Sequence, residues 1–492
     1  MNGRGGVPKG SQILSGLAEN VGLETDHLNF LVSQFAALLL STLYRTVLHP
    51  KRASTQVRHA FGLIVGLCLG YFCFGFQAVH LAGLPTLCYV VMVTQNPHIM
   101  HGMVLTVALL YLSCIHIHRI IYDYGSCGLD ISGPLMVITQ KVSSLTFSLH
   151  DGLTKAQDDM TNNQQYHAIY KTPNVLEYFS YCLMFPSVMA GPLIFYNDYI
   201  DFIEGNSYIK IPHGSQSQEV VNEPNPIKAV IKKVIIALFC AFIFIKFLPR
   251  FPISRVKEQN FVENTSMGYK FWYLTVSTTL VRFKYYFAWT MADAICNNSG
   301  LGFSGYAEEE SEQWNKVSNV DILQFEFATS LKQAIEAWNK GTNAWLRMIV
   351  YERVIGYPTV ATYLLSALWH GFYPGYYLTF LSGALFTFAS RQVRRHVRNY
   401  FMESREAKLL YDLITFAVTH FVLAYITFPF VSLEFYSSIV LYNKMFWCLH
   451  IGAAVALIFV PKFVPRMETR DLTSKGGIAQ ALRQAGPYSQ ND

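Results

Sequence analysis

Charge is scarce in this chain. Of 492 residues only 14% are Asp, Glu, Lys or Arg, while 52% are hydrophobic and the mean hydropathy is +0.25. A soluble domain carries about 25% charged residues, which excludes the two or three soluble domains that length alone would allow. Disorder is excluded for most of the chain, because it needs low hydrophobicity and high net charge. The net charge of +6 is small and scattered, unlike the concentrated basic face of a nucleic-acid binder. The nine cysteines, Cys68, Cys73, Cys88, Cys114, Cys127, Cys182, Cys240, Cys296 and Cys448, form no Cys-x-x-Cys pair and sit mostly in apolar runs. They read as small buried hydrophobes, not as a disulfide framework or a zinc site. The first twelve residues lack the charged-then-apolar layout of a cleaved signal peptide, so the first span is expected to be its own targeting signal. No repeat at domain scale is visible, which weakens a two-fold transporter.

What is abundant is apolar and aromatic: 36 Phe, 30 Tyr and 7 Trp. At about 20 apolar residues per crossing, spans are predicted near 29–48, 60–80, 82–95, 101–118, 174–195, 229–249, 268–295, 358–373, 374–390, 410–430 and 437–460. The fold class is therefore an all-α polytopic membrane protein with about 11 transmembrane helices. The stretch 134–149 is expected to add a re-entrant or interfacial helix, and Ile322 to about Val354 an amphipathic one. Pro134, Pro186, Pro192, Pro374 and Pro429 interrupt or bound spans, which a membrane tolerates only against protein or a wet cavity. A compact body around a cavity is expected, with a tail at 1–28, a membrane domain at 29–461 and a second tail at 462–492. Polar loops fall at 150–173, 204–227 and 297–357, the last with Glu308, Glu309, Glu310 and Glu312. Arg391, Arg394, Arg395 and Arg398, then Lys462, Arg466 and Arg470, put both ends and 297–357 in the cytosol and 250–267 in the lumen.

Two polar residues stand out. His370 lies in Ser366-Ala367-Leu368-Trp369-His370-Gly371-Phe372-Tyr373-Pro374-Gly375-Tyr376-Tyr377, and an ionisable side chain within a span is costly enough to suggest function. Gly371 allows close approach, Pro374-Gly375 is expected to open a cavity, and Trp369, Tyr373, Tyr376 and Tyr377 supply flat walls with polar tips. A packed histidine in an aromatic belt is the alternative. Asn339, in Glu336-Ala337-Trp338-Asn339, would alone read as a surface amide. His116-x-His118 sends its rings to different helix faces, so no metal site is expected there. His118 to Asp123 spells H-x-x-x-x-D, the acid–base pair of another acyltransferase class, but no glycine-rich basic segment follows and chance explains it. Gly300, Gly302 and Gly305 follow no strand and read as a tight turn. Lys284 is expected to snorkel, and Asp293 to pair within the bundle. The arginines at 391–398 share a helical face; a topology determinant is preferred over a phosphate site.

Taken together these residues resemble the membrane-bound O-acyltransferase family. The carriers are Trp338-Asn339, Trp369-His370-Gly371 and the 31-residue gap between Asn339 and His370. YDYG at 122–125, SGPLMVITQK at 132–141, HDG at 150–152, KYYFAWTMADA at 284–294 and SALWHGFYPGYYLTF at 366–380 are similar to the lysophospholipid acyltransferase branch, nearest its lysophosphatidylserine and lysophosphatidylethanolamine acyltransferases 1 and 2. The spans without a cleavable signal lead to an expected place in the endoplasmic-reticulum membrane; the resemblance implies an enzyme with a tunnel, acyl-CoA as co-substrate from the cytosol, a lysophospholipid arriving sideways from the bilayer, and no tightly bound cofactor. His370 would be the base that deprotonates the acceptor hydroxyl. Asn339 would polarise the thioester carbonyl. Trp338, Trp369, Gly371, Tyr376, Tyr377 and Lys284 would line the site, and Arg347 and Arg353 would hold phosphates at its mouth. A protein or peptide acyltransferase of the same superfamily shares Asn and His; a transporter is the reading from another class.

Overall fold

The computed structural model describes residues 10–125, 128–210, 219–220, 223–306 and 311–465. Cys127, the acidic residues Glu308, Glu309 and Glu310, Arg466, Arg470 and most of the expected second tail lie outside the described residues. The described chain is mostly helical, and its strands are two short antiparallel pairs, Ile209–Lys210 with Glu219–Val220 and Gly305–Tyr306 with Glu312–Gln313.

Local sequence sets the helix ends. Asn96 Oδ1 accepts from His98 N–H at 2.9 Å, with Pro97 at the first helical position. Ser404 Oγ accepts from Ala407 N–H at 3.0 Å. Asn174 and Glu177 form a reciprocal capping box, so orphan amides are satisfied before each apolar run begins. The runs then turn apolar side chains outward: Ile64, Leu110, Ile235 and Leu413 are each more than half exposed, as in a body solvated by lipid.

Among the described residues four helices are long and apolar enough to cross a membrane: Thr25–Thr46, Thr55–Thr94, Pro97–Tyr122 and Arg405–Ser432. A fifth arises if Phe435–Lys444 and Cys448–Phe463, bent by 74°, form one span. Several other expected spans are helices that fail on length or polarity. Pro358–His370 has 13 residues, about 20 Å at 1.5 Å per residue, against a core of about 30 Å. Ile227–Phe247 carries Lys228, Lys232, Lys233 and Lys246. The expected spans 60–80 and 82–95 are joined by the 3₁₀ turn Gly75–Ala78, entered at a positive φ of 54° on Gly75.

Three expectations are corrected. The stretch at 134–149 has no wet face of the kind an interfacial helix presents. It belongs to the helix Ser132–Thr154, in which every residue from Ile138 to Leu149 is buried. The span at 174–195 is broken: Val175–Leu183 ends at Met184, the short helix Phe185–Val188 follows with Pro186 in its first turn, and no helix continues to 195. Lys141 explains how both can be buried. Its Nζ donates to Tyr181 O at 2.9 Å, Cys182 O at 3.3 Å and Ser187 Oγ at 2.9 Å, so the carbonyls released at the break bind the buried ammonium. Finally, Ile322 to Val354 is not one amphipathic helix. It divides into Ile322–Glu326, Leu331–Ala337, Lys340–Leu346 and a π-turn at Arg347–Tyr351. Trp345, Met348, Ile349 and Val350 are buried, so its apolar side packs on protein.

Two apolar cores result. One gathers around Ser132–Thr154 and includes Trp345 and Trp369. The other joins Tyr273, Phe325, Ala337, Phe386, Tyr425 and Tyr442, with Trp338 packed against it. Lys233 and Asp293 form the expected pair within the bundle, at 2.6 Å, linking Ile227–Phe247 to Met267–Ser299.

Candidate active site

The helix Pro358–His370 starts on a proline and stops at Gly371. Gly371 has φ 112° and ψ −163°, a region open essentially to glycine. A Cβ there would lie 2.9 Å from His116 Cγ, so the close approach that the sequence suggested is to a second imidazole. His116 is buried and its Nε2 lies 3.1 Å from Trp369 O. The carbonyl can only accept, so Nε2–H donates and satisfies a helix-terminal oxygen. The same logic fixes His370. Its Nδ1 lies 2.7 Å from Ser366 O, so Nδ1 carries the proton, and Nε2 is left as an acceptor with no hydrogen bond to any described residue.

Around the His370 ring stand Trp369 at 4.6 Å, Phe380 at 4.8 Å, Phe430 at 5.3 Å and Tyr376 at 5.8 Å between centroids. Tyr376 therefore joins the wall. Tyr377, the next residue on its helix, makes no ring contact with His370 among the described residues. The opening expected at Pro374-Gly375 is not there. Pro374 begins the helix Pro374–Val397, Gly375 N–H donates to Leu433 O at 3.2 Å, and a Cβ on Gly375 would stand 2.1 Å from Pro429 O. This turn is packed tightly against the end of Arg405–Ser432.

Asn339 sits at the seam between the two cores. Trp338 before it meets Trp289 and Phe325, each at 5.0 Å, and Tyr285 and Tyr286 slightly farther away. Trp345, one helix later, meets Trp369 at 5.7 Å. Asn339 itself is left-handed, at φ 46° and ψ 54°, which asparagine tolerates better than most residues. Asn319, buried at 4% exposure, accepts from Gly341 N–H through Oδ1 at 2.9 Å. Its other amide atom must then be Nδ2, which donates to Asn339 Oδ1 at 3.1 Å. The Asn339 oxygen is occupied, and its NH₂ makes no hydrogen bond to any described residue. Asn343 holds the same turn from the other side, giving Nδ2 hydrogens to Ile335 O at 2.6 Å and Trp338 O at 2.7 Å. No hydrogen bond among the described residues joins Asn339 to His370. Chemically the arrangement offers a neutral imidazole acceptor and an amide donor, each with its remaining polarity tied down.

Beside the Asn339 turn lies an open cavity of about 1870 Å³. Arg391, Arg394, Arg395 and Arg398 form part of its lining, with Lys332, Lys340 and Arg347 from the 331–347 segment; its acidic lining residues are Glu336 and Glu352. These arginines, read from the sequence as a topology determinant, thus line a cationic chamber. Arg347 belongs to it but is paired with Glu352 at 2.7 Å, its side chain 70% exposed. Arg353 does not line it. Arg353 forks onto Asp151, with Nη1 donating to Oδ1 at 2.9 Å, and its Nε donates to Met348 O at 2.8 Å, so its guanidinium is taken up by protein contacts. Lys284 stands exposed over the Tyr285 ring at 4.9 Å, outside the chamber lining. His118 is exposed and lies tilted against Tyr122 at 4.6 Å between ring centroids.

Asn319 and His116 escaped the sequence reading. Asn319 is one polar residue in a polar loop and has no local signal. His116 had one: Met100, Val104, Ala108, Leu112 and His116 are the buried residues of Pro97–Tyr122 and recur every four positions, so the imidazole stands on the inward stripe.

The profile of the membrane-bound O-acyltransferase family matches residues 93–429. Lysophospholipid acyltransferase 6 of Drosophila melanogaster is 53% identical over 483 residues, covering 97% of this chain and 67% of that protein. Membrane-bound glycerophospholipid O-acyltransferase 1 of Mus musculus is 42% identical over 457 residues, covering 92% of this chain and 93% of the relative. Membrane-bound glycerophospholipid O-acyltransferase 2 of Homo sapiens is 40% identical over 457 residues, with 92% and 88% covered. The profile match spans more than half of the chain and includes both Asn339 and His370, and the relatives extend the likeness to nearly its full length: the chain belongs to the membrane-bound O-acyltransferase family and is a multi-pass membrane O-acyltransferase.

Proposed function

We propose that the chain is an acyl-CoA-dependent lysophospholipid acyltransferase of the endoplasmic reticulum, with residues 29–461 as its catalytic unit. The acceptor is the free hydroxyl of lysophosphatidylserine or lysophosphatidylethanolamine, and oleoyl-CoA is a donor. The names of the relatives support a lysophospholipid or glycerophospholipid acceptor; the head group and the oleoyl chain rest on the resemblance of the runs at 132–141, 284–294 and 366–380.

The observation that carries the chemistry is the contact of His370 Nδ1 with Ser366 O, an oxygen that can only accept and so assigns the proton to Nδ1. With Nδ1 committed, Nε2 takes the proton of the acceptor hydroxyl as its oxygen attacks the thioester carbon. Negative charge grows on the carbonyl oxygen, and Asn339 Nδ2–H donates to it. The carbon–sulfur bond then breaks, the ester forms, and the proton passes from Nε2 to the departing thiolate. No covalent enzyme intermediate is needed. The cationic chamber suits the phosphates of CoA, since Arg391, Arg394, Arg395 and Arg398 stand together on one side of it and guanidinium groups bind phosphate in two-pronged fashion.

The test is the purified protein given labelled oleoyl-CoA and a panel of lysolipids. Lysophosphatidylserine or lysophosphatidylethanolamine is expected to be acylated faster than lysophosphatidylcholine. A strong preference for lysophosphatidylcholine or lysophosphatidylinositol overturns the head-group assignment, and label on a peptide hydroxyl without lipid product overturns the lipid reading. Carbonate-resistant microsomal membranes are the expected fraction in cells.

A further inference from the structure

Asn319 bonds to Asn339 through its side chain and to the two residues that follow it, Lys340 and Gly341, and these contacts do different things. Asn319 O accepts from Lys340 N–H at 2.8 Å, and Asn319 Oδ1 accepts from Gly341 N–H at 2.9 Å. Those two bonds hold the peptide units just after Asn339 and so hold its left-handed backbone. Gly341 makes room for this: a Cβ there would stand 3.2 Å from Asn319 Oδ1 and 3.1 Å from Leu193 N. The third bond, Asn319 Nδ2–H to Asn339 Oδ1 at 3.1 Å, does nothing for the backbone. It sets which way the Asn339 amide faces.

An amide is nearly symmetric in shape but opposite in polarity at its two ends. Left free, Asn339 could present either its oxygen or its NH₂ to a carbonyl oxygen in the site, and the wrong face would repel it. Because Gly341 N–H can only donate, Asn319 Oδ1 must accept, Asn319 Nδ2 must donate, and the Asn339 oxygen must point to Asn319. A backbone amide thereby dictates the polarity of a side chain two steps away, with no titratable group involved.

We propose that Asn319 is a positioning residue: through its bond to Asn339 Oδ1 it locks the Asn339 NH₂ toward the reacting carbonyl, so that the donor is oriented before substrate arrives. The proposal rests on the reading that Asn339 polarises the thioester. Preorganised donors are effective because no reorientation accompanies the reaction. Asn319→Asp separates the two jobs. The new carboxylate still accepts from Gly341 N–H, so the turn is retained, but it cannot donate to Asn339 Oδ1, and the Asn339 amide inverts to donate to it.

The experiment measures kcat and both KM values for wild type, Asn319→Asp, Asn339→Ala and the double variant, with thermal stability in detergent beside them. Asn319→Asp is expected to lower kcat at least about 10-fold, less than the about 10²–10³-fold of removing a donor outright, with both KM values within twofold of wild type. In the Asn339→Ala background the same substitution is expected to change kcat less than twofold, because there is no amide left to orient. A structural defect would instead lower kcat by the same factor in both backgrounds, and that result overturns the proposal, as does an Asn319→Asp enzyme with wild-type kcat. Should the buried carboxylate prevent folding, Asn319→Ala, which adds no charge, carries the same two-background comparison. If Asn339→Ala itself keeps wild-type kcat, it is the reading of Asn339 that fails, and the two failures are distinguishable.

Discussion

Trp345 and Trp369 meet at 5.7 Å between ring centroids, and both indole N–H groups are anchored in the same buried helix, Trp345 on Ser143 Oγ at 2.8 Å and Trp369 on Met136 O at 3.0 Å. One tryptophan follows Asn339 by six residues and the other precedes His370. The helix Ser132–Thr154 is therefore the common datum for two residues that make no hydrogen bond to each other. Gln140 Nε2 donating to Thr342 Oγ1 at 2.8 Å reinforces it.

This datum can be tested with Trp345→Phe. Ser143 Oγ also donates to Thr139 O at 2.6 Å, so losing the indole leaves no stranded hydroxyl. The stability cost is then about 1 kcal/mol, that of one hydrogen bond, and the detergent-solubilised protein is expected to melt a few degrees lower. Activity is expected to fall more steeply, about 10-fold, because small misplacements of reacting groups cost up to about 10²-fold. Equal, small losses in both would mean that the tryptophan pair only fills space.

For His370 the tautomer makes the expectation specific. His370→Ala removes the Nε2 acceptor and is expected to lower kcat by about 10² or more, while the protein still purifies as a folded species. His118→Ala, at the exposed H-x-x-x-x-D motif, is expected to keep wild-type turnover. Loss of activity in the His118 variant, or its retention in the His370 variant, would reverse the assignment.

How far the sequence carried this site depends on the kind of signal each residue leaves. His370 was legible because a titratable residue between Trp369 and Gly371 in an apolar run violates the pattern around it. Asn339 was legible only through resemblance, since its position at a seam between two cores leaves no periodicity. Ser132–Thr154 was misplaced because its polar residues, Thr139, Gln140, Lys141, Ser143 and Ser144, imitate the wet face of an interfacial helix. In fact each is buried, and Gln140, Lys141, Ser143 and Ser144 bond to protein. The segment 322–354 was over-regularised because helical spacing of apolar residues survives across short breaks. The arginines at 391–398 were seen but assigned to topology, as sequence cannot tell which cations share a chamber.

Those cations separate from Arg353 in a second experiment. Arg353→Ala leaves Asp151, fully buried, with Lys155 at 2.9 Å as its remaining cationic partner among the described residues. Breaking a buried pair typically costs about 3–5 kcal/mol, and the remaining lysine places this case at the low end, so lost thermal stability is the expected phenotype. Arg394→Glu together with Arg398→Glu is expected to leave stability near wild type and to raise KM for acyl-CoA about 10-fold or more. KM for lysolipid is expected to stay within twofold, and added salt to narrow the difference from wild type. Arg347→Glu, already paired with Glu352, is expected to have a smaller effect. If the double reversal leaves KM for acyl-CoA unchanged, the chamber does not hold the CoA phosphates.

Gly371 supplies the last prediction, because two separable penalties meet there. Its φ of 112° with ψ of −163° lies where a side chain brings about 1–3 kcal/mol of strain, and a Cβ would in addition stand 2.9 Å from His116 Cγ. Gly371→Ala is therefore expected to lower the thermal midpoint and to displace His116 from Trp369 O, loosening the helix end that carries His370 and reducing turnover. His116→Ala alone forfeits the bond to Trp369 O, worth about 1 kcal/mol, and is expected to retain the fold with reduced activity. The double variant, Gly371→Ala with His116→Ala, removes the clash but keeps the backbone strain. It is expected to be more stable than the sum of the single effects, since contacting residues do not add. Strict additivity of the two stability losses would show that the imidazole gives way freely, leaving the backbone conformation of Gly371 as the sole reason for a glycine after His370.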